Sequence, residues 1–416
     1  MTKLRSWLSF TLVVAASSVA TGCKDFLKVE NPNSVAASDV NAVRDATTLA
    51  QSALQDFAAA YGTYTVFGGI YSGELWSADV NSPGNLTSVR LVDPTMTDGY
   101  LSSMARARVS GTKVVASLKG TSGESSDNAA IGWMVSGYVF LAYAEHFCSA
   151  TVDGGPSLTT ANLLDSAVAN LTNAVTIGAA VGDAAGVQLS NAARVARARA
   201  QLMKGNTAQA LADANAVKAG FNYNLTFIND LTNIQRLGNY VWYIDFNIST
   251  LSVIPALRSL NDPRMITVPP SVNNLQPMDG STPMWSMAKY SSYSAPIRLA
   301  SKIEADYVAA EAQGTAAMLA QIQARRAANN QAAYAGATDA HSVLVEFLTQ
   351  RTYEFYVEGK HMGDFRRYPN DLPFLVPAGT PYRKPNVPAY SGGYHNNLCW
   401  PISIQETTNN PNHPQP

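Results

Sequence analysis

Glu346, Glu354 and Glu358 recur at a helical stride of four, with Gln350 between them. Two carboxylates across a scissile bond are what glycoside hydrolysis uses, one as acid and one as nucleophile or base. Arg351, Arg366 and Arg367 follow closely in sequence. A carboxylate beside a guanidinium is held ionised rather than raised towards proton donation. The pattern therefore predicts a structural ion-pair network instead of a catalytic pair. Metal chemistry finds no better support. His146, His341, His361, His395 and His413 form no His-Glu-x-x-His pair, and no Cys-x-x-Cys occurs. A Gly-x-Ser-x-Gly elbow and a Walker-type loop are also missing from the sequence. No catalytic residue, metal or cofactor is expected.

The aromatic residues of the irregular stretches are the better candidates. Sugar rings present apolar C–H faces that pack on flat rings, while their hydroxyls need Asn or Asp side chains. Trp76, with Asp79 and Asn81 beside it, supplies both. Trp242, Trp285 and Tyr290 supply further rings. The competing reading of each ring is core packing, the ordinary place for large aromatic side chains.

These residues sit in a chain that otherwise reads as helical. Val43, Ala46, Leu49, Ala50, Ala53, Leu54 and Phe57 recur at helical spacing within Val40 to Tyr61. Further helices are expected over 100–118, 129–147, 162–177, 191–204 and 207–219, and then over 297–312, 315–329 and 342–358. Residues 62–99, 221–296 and 369–416 mix aromatics with Gly, Pro and Asn and read as irregular, with a short strand over 242–246. Long loops inside a compact body are usually functional or disordered, and the aromatic content of these argues against disorder. At Lys204-Gly205-Asn206, Gly205 is suited to end one helix in a left-handed conformation. Asn206 can cap the next, with Gln209 as capping-box partner. Ala198 and Ala210 flank this turn, and the unit resembles a tetratricopeptide helix pair.

The charge balance narrows the function classes. The chain has 416 residues, a net charge of −1 and only 14% charged residues, against roughly a quarter in ordinary soluble proteins. A basic face for nucleic acid is excluded on that count. Hydrophobic content of 46% allows a sizeable core. Lys3 and Arg5 precede an uncharged run from Trp7 to Ala20 that suits a signal-peptide core and is short for a membrane span. The run ends in Ala20-Thr21-Gly22-Cys23. Small residues before a cysteine resemble a bacterial lipobox, with Ala20 where Leu is usual, so Cys23 is the expected lipidation site. The alternative is an ordinary cleaved signal. Cys148 and Cys399 remain, and outside the cytoplasm an even pair can bridge. A disulfide is expected, the alternative being two buried thiols.

Gln350 to Lys360, reading QRTYEFYVEGK, is followed by Asp364-Phe365-Arg366-Arg367-Tyr368 and resembles the signature of the SusD/RagB family. Arg351, Glu354, Glu358, Gly359, Asp364 and Arg367 fall in matching places, while Gln350 stands where an acid is usual. Cys23 to Leu27, Glu145 to Cys148, Asp262-Pro263-Arg264, Lys289-Tyr290, Ala310 to Ala312 and Cys399 to Ile402 resemble further elements in family order, as do Glu406 and Asn410 to Asn412. The resemblance implies a mainly α body of tetratricopeptide-type helix pairs, with little β structure and long irregular loops that carry the ligand. It also implies an outer-membrane lipoprotein that performs no bond chemistry. The expected ligand is a glycan, with peptide as the alternative. The expected partner is a TonB-dependent, SusC-like transporter. On this reading residues 1–22 are a signal peptide, 23–33 a lipidated tether at the cell surface, and 34–416 one domain. A protein-binding tetratricopeptide scaffold is the reading from a different class.

Overall fold

The computed structural model describes residues 40–80, 82–384 and 393–413. The expected signal peptide, Cys23 with its tether, and Asn81 lie outside the described residues. The chain forms two compact units, Met1–Asp45 and Ala46–Pro416. In the first, residues 40–45 make a turn in which Asn41 Oδ1 accepts the Val43 and Arg44 N–H groups. The second unit holds every helix and strand named in this section.

Its first helix, α1, spans Ala46–Ser72 and so runs well past Tyr61. The glycines that suggest a loop are packing devices. A Cβ on Gly62 would stand 3.0 Å from the Tyr240 Cβ, and one on Gly68 would stand 2.7 Å from His146 Nε2. Glycine in a helix interior costs about 0.5–1 kcal/mol relative to Ala. Close approach of the neighbouring side chains offsets it. The irregular stretch expected over 62–99 therefore shrinks to the residues between α1 and α2 (Pro94–Leu118), and even these include a strand, Leu75–Ser77, and a short helix, Ser82–Ser88. Asp93 caps α2, accepting the Thr95 N–H at 2.8 Å, and Pro94 occupies the first turn where no donor is needed.

Helices α3 (Asp127–His146), α4 (Thr160–Val181), α5 (Ala184–Met203) and α6 (Thr207–Asn215) come next. Each packs on its predecessor in sequence, as paired helices joined by short loops must. Gly205 adopts φ +78° at the α5–α6 turn, as its position predicts. Asn206 does not form the expected capping box. Its amide donates to Gln201 Oε1 at 2.8 Å. Ala198 and Ala210 are fully buried where the two helices meet.

Beyond α6 long helices give way to short turns and three short antiparallel ladders, one of them pairing Thr267–Val268 with Ser286–Met287. Strand β1 (Leu75–Ser77) pairs with β3 (Leu251–Val253), and β2 (Asn222–Leu225) pairs with β4 (Ile297–Ser301). The strand expected over 242–246 is absent. Tyr240–Trp242 is a helical turn that widens into a π-turn over Tyr243–Asn247. Residues 297–301 are strand rather than helix. Ser301 at the end of β4 caps α7 (Lys302–Gln313) by accepting the Glu304 N–H. Helices α8 (Thr315–Ala328) and α9 (Ala340–Glu354) follow, and two short helices, His361–Arg367 and Ile404–Asn409, come after them. Helix α9 stops short of Glu358, because Val357 and Gly359 both take positive φ.

The C-terminal segment closes the core. Trp400 is completely buried, with ring centroids 4.9 Å from Tyr100, 5.3 Å from Tyr64 and 4.8 Å from His146. Its N–H donates to His146 O at 2.7 Å, and its carbonyl accepts the Cys148 N–H at 2.9 Å. Beside it, Cys148 and Cys399 form a disulfide across 251 residues of sequence, with Cα atoms 5.1 Å apart. A loop of that length implies about 5 kcal/mol of stabilisation in the chain-entropy model. Among the described residues, no helix is long and apolar enough to cross a membrane.

Candidate functional site

The β1–β3 ladder positions two of the expected rings. Trp76 lies opposite Ser252, whose hydroxyl accepts the Trp285 N–H at 3.1 Å and donates to Pro283 O at 2.6 Å. The next residue, Val253, donates its N–H to Trp285 O at 2.8 Å. Three backbone segments thus converge, and both tryptophans are left half-buried. Arg258 sits between them, its guanidinium 5.2 Å from the Trp76 ring centre and 5.5 Å from that of Trp285. Arg258 Nε donates to Val253 O at 2.8 Å, so the same strand holds the cation. A second cation, Arg383, lies 4.2 Å over Trp76 and donates to Ser77 O and to Thr282 Oγ1. Cations over indole faces are favourable by about 0.5–2 kcal/mol.

Burial lowers both guanidinium pKa values, Arg258 to about 10 with Arg383 adding to the effect. An arginine guanidinium stays charged at neutral pH. The acids around these two compensate little. Asp279 is engaged by Lys384 at 2.6 Å, and Lys384 also donates to Asp79 O at 3.0 Å. Glu74, just before β1, is buried and accepts the Val357 N–H, and burial pushes its carboxyl up to about 8. Asp245 in the π-turn is also buried, accepts the Met287 N–H and is pushed well up by burial. Trp76 further borders a cavity of about 160 Å³ shared with Tyr71, Arg90, Ile254 and Tyr394.

The remaining expected site residues are distributed differently. Trp242 belongs to a separate ring cluster. It stacks on Phe246 at 5.3 Å and meets Tyr293 edge-on at 4.4 Å. Tyr290 is buried, and its hydroxyl donates to Val357 O at 2.7 Å. It is a core residue, because its one polar atom is satisfied by buried backbone, and it is withdrawn from the ligand-facing set. Asp79 is half-buried near Trp76. Arg258 and Arg383 are not legible as site residues in the sequence. A basic residue in an aromatic-rich loop is the only signal they carry. A larger cavity of about 580 Å³ lies between the start of α1, α3, α5 and β2, and Gln51, Gln55, Asn128, Gln188 and Asn224 line it with carboxamides.

The carboxylates at the end of α9 form an ionic network. Arg351 pairs with Asp364 at 2.9 Å, and Arg367 reaches both Asp364 and Glu311. Glu354 accepts Arg325 at 2.9 Å. Burial alone would raise Glu358, but Lys289, Lys360 and Arg298 outweigh it and hold the carboxyl at about 2. It cannot serve as a proton donor near neutrality. Because α9 ends at Glu354, Glu358 also leaves the helical face that its spacing predicts. Gln350, in the place of an acid, accepts from Arg264 at 2.7 Å and donates to Glu346 at 2.9 Å. A neutral amide thus links a cation to an anion. Among the described residues no cluster of His, Cys, Asp and Glu is arranged to hold a metal.

No protein-family model matches this chain, and no curated protein does. Solved structures do. A SusD/RagB family protein of Bacteroides thetaiotaomicron superposes with TM-score 0.61 at 14% identity, over 91% of this chain and 95% of its own. A laminarin-binding SusD-like protein gives 0.63 at 14% identity, over 88% and 98%. A chitin-binding SusD homologue of Flavobacterium johnsoniae gives 0.59 at 14% identity, over 78% and 88%. The molecule has the SusD-like fold, mainly α and built of helix pairs, as the motifs around Arg351 to Arg367 imply.

Proposed function

We propose that this protein is a glycan-capturing outer-membrane lipoprotein, tethered through Cys23 at the cell surface, that passes its ligand to a TonB-dependent, SusC-like transporter. The observation that carries the reading is a pair of half-buried tryptophans, Trp76 and Trp285, held on one strand ladder of a SusD-like body. Solved structures of that fold include proteins named for binding chitin and laminarin. Indole rings supply the apolar platform, and the guanidinium and hydroxyl groups beside them supply the donors, that a saccharide needs. The protein itself makes and breaks no bonds on this reading. Its α9 carboxylates are engaged in ion pairs, and Glu358 is held ionised.

A glycan array probed with the full chain in detergent tests the ligand class. Trp76→Ala and Trp285→Ala should each weaken binding of a positive glycan at least about tenfold, the scale of a lost aromatic contact, in variants that still unfold cooperatively. Unchanged affinity in both variants removes the site assignment. Cys23→Ser should release the protein from membranes, and external protease should cut the native protein on intact cells. Co-purification with a β-barrel from detergent extracts tests the transporter.

A further inference from the structure

The cations at the tryptophan pair differ from those in the rest of the core. Arg199, Arg264, Arg298, Arg351 and Arg367 each lie against a carboxylate. Arg258 and Arg383 have none against them among the described residues. They are anchored by the Val253 and Ser77 carbonyls and by neutral hydroxyls. Residues 385–392, which come directly after Lys384, contain no acidic residue. Arg90, at the adjoining cavity, likewise donates to the carbonyls of His395 and Val376. A buried charge is normally paired or neutralised. Arg366 shows the structural version of an exception. It donates to Ala144 O and Phe147 O at the C-terminal end of α3, where the helix dipole favours a cation. Among the described residues the one acid whose charge acts on Arg383, Asp279, is itself paired with Lys384. Beside the rings stand Arg258, Arg383 and Lys384 against Asp79 and Asp279, with Arg90 at the adjoining cavity, while the buried acids Glu74 and Asp245 accept the Val357 and Met287 N–H groups.

The arginines also change what Trp76 can do. With guanidinium groups 4.2 Å and 5.2 Å from its centre, the ring is no bare platform for a neutral sugar. It is a backing that orients planar, forked donors at the mouth of the site. Forked guanidinium donors suit carboxylate and other oxyanions. We propose that the site around Trp76, Arg258, Trp285 and Arg383 selects anionic saccharides, pyranoses bearing a carboxylate or a sulfate, over neutral ones. This deepens the glycan-binding reading and rests on it. Trp76 backs the two guanidiniums, which take the anionic substituent, and Trp285 offers the ring face.

Titration calorimetry on the full chain in detergent tests it, with four probes of matched length: an oligogalacturonate, a sulfated galactan oligosaccharide, a neutral laminari-oligosaccharide and an oligoglutamate. At least one acidic saccharide should bind about tenfold or more tighter than the neutral one, and raising NaCl from about 0.05 to about 0.5 M should lower its affinity about tenfold by screening. Which acidic probe binds identifies carboxylate or sulfate as the substituent. Arg258→Gln should abolish the preference, and Arg258→Lys should retain the salt dependence at reduced affinity. Arg258→Gln must keep the native unfolding midpoint. If Arg383→Gln lowers that midpoint, Arg258→Gln alone decides. Neutral saccharide binding as tight as acidic, without salt dependence, overturns the anionic preference and leaves the glycan reading standing. Oligoglutamate binding equal to the acidic saccharides overturns the saccharide class. If no saccharide binds, the glycan reading falls together with this proposal.

Discussion

Two regions concentrate charge in this molecule, and they treat it oppositely. Around the end of α9, cations and anions interlock. Arg199 lies 2.7 Å from Glu145 and 2.9 Å from Glu304, and Lys360 joins Glu304 to Glu358. Helices α3, α5 and α7 are thereby tied to the turn after α9. Around β1 and β3, Arg258 and Arg383 are held by carbonyls and set against indole rings. The first arrangement cancels its own field and sets how the elements pack. The second leaves a field and a flat surface directed at whatever enters. On the proposed reading, the difference separates charge used for architecture from charge kept for recognition.

The sharpest way to break that division is to remove a cation from each region. Arg199→Met leaves Glu145 and Glu304 facing each other inside the core, and should destabilise the fold by about 3–5 kcal/mol in urea titrations. A loss below about 1 kcal/mol would show that the network does not organise the body. Alanine at both Cys148 and Cys399 should cost about 2–4 kcal/mol, less than the chain-entropy ceiling, because the Trp400 contacts persist. Glu74→Gln probes the recognition side through pH. The Glu74 pKa rises on folding, from its ordinary 4.5 to about 8. The folded state therefore retains a proton that the unfolded chain releases, and native stability falls as pH climbs from 4.5 to 8. Gln keeps the acceptor for Val357 and removes the titration. The variant should gain stability relative to the parent at pH 8 and little at pH 4.5, and equal gains at both would refute a neutral buried Glu74. Arg258→Gln should be smallest in stability, within about 1 kcal/mol, since its contacts are half-exposed.

The helical body is readable in the sequence because apolar periodicity and turn chemistry are local. Gly205 and the α5–α6 pair are legible for that reason, as are the Arg351–Asp364 partners, which lie close together in the chain. What escapes are decisions made by distant residues. Gly62 and Gly68 read as breakers until Tyr240 and His146 arrive against them. The turn at Tyr243–Asn247 reads as strand because its aromatic run has no neighbours in the sequence to say otherwise. Tyr290 and Trp285 are close in sequence and similar in kind, yet one is fully enclosed and the other only half-buried. The site is legible as aromatics and illegible as arginines, because Arg383 reaches Trp76 from the far end of the chain.

The Cys148–Cys399 bridge has one more consequence, for what a protease can do to the chain. The covalent loop it closes contains α4 to α9, and within it the stretch from Ala328 to Ala340 is largely exposed. A cut there separates the chain into two peptides that share one sulfur–sulfur bond and one aromatic core. The nicked molecule should migrate as a single species until reductant is added, and should keep its recognition face. Damage to the backbone is thereby uncoupled from loss of the part.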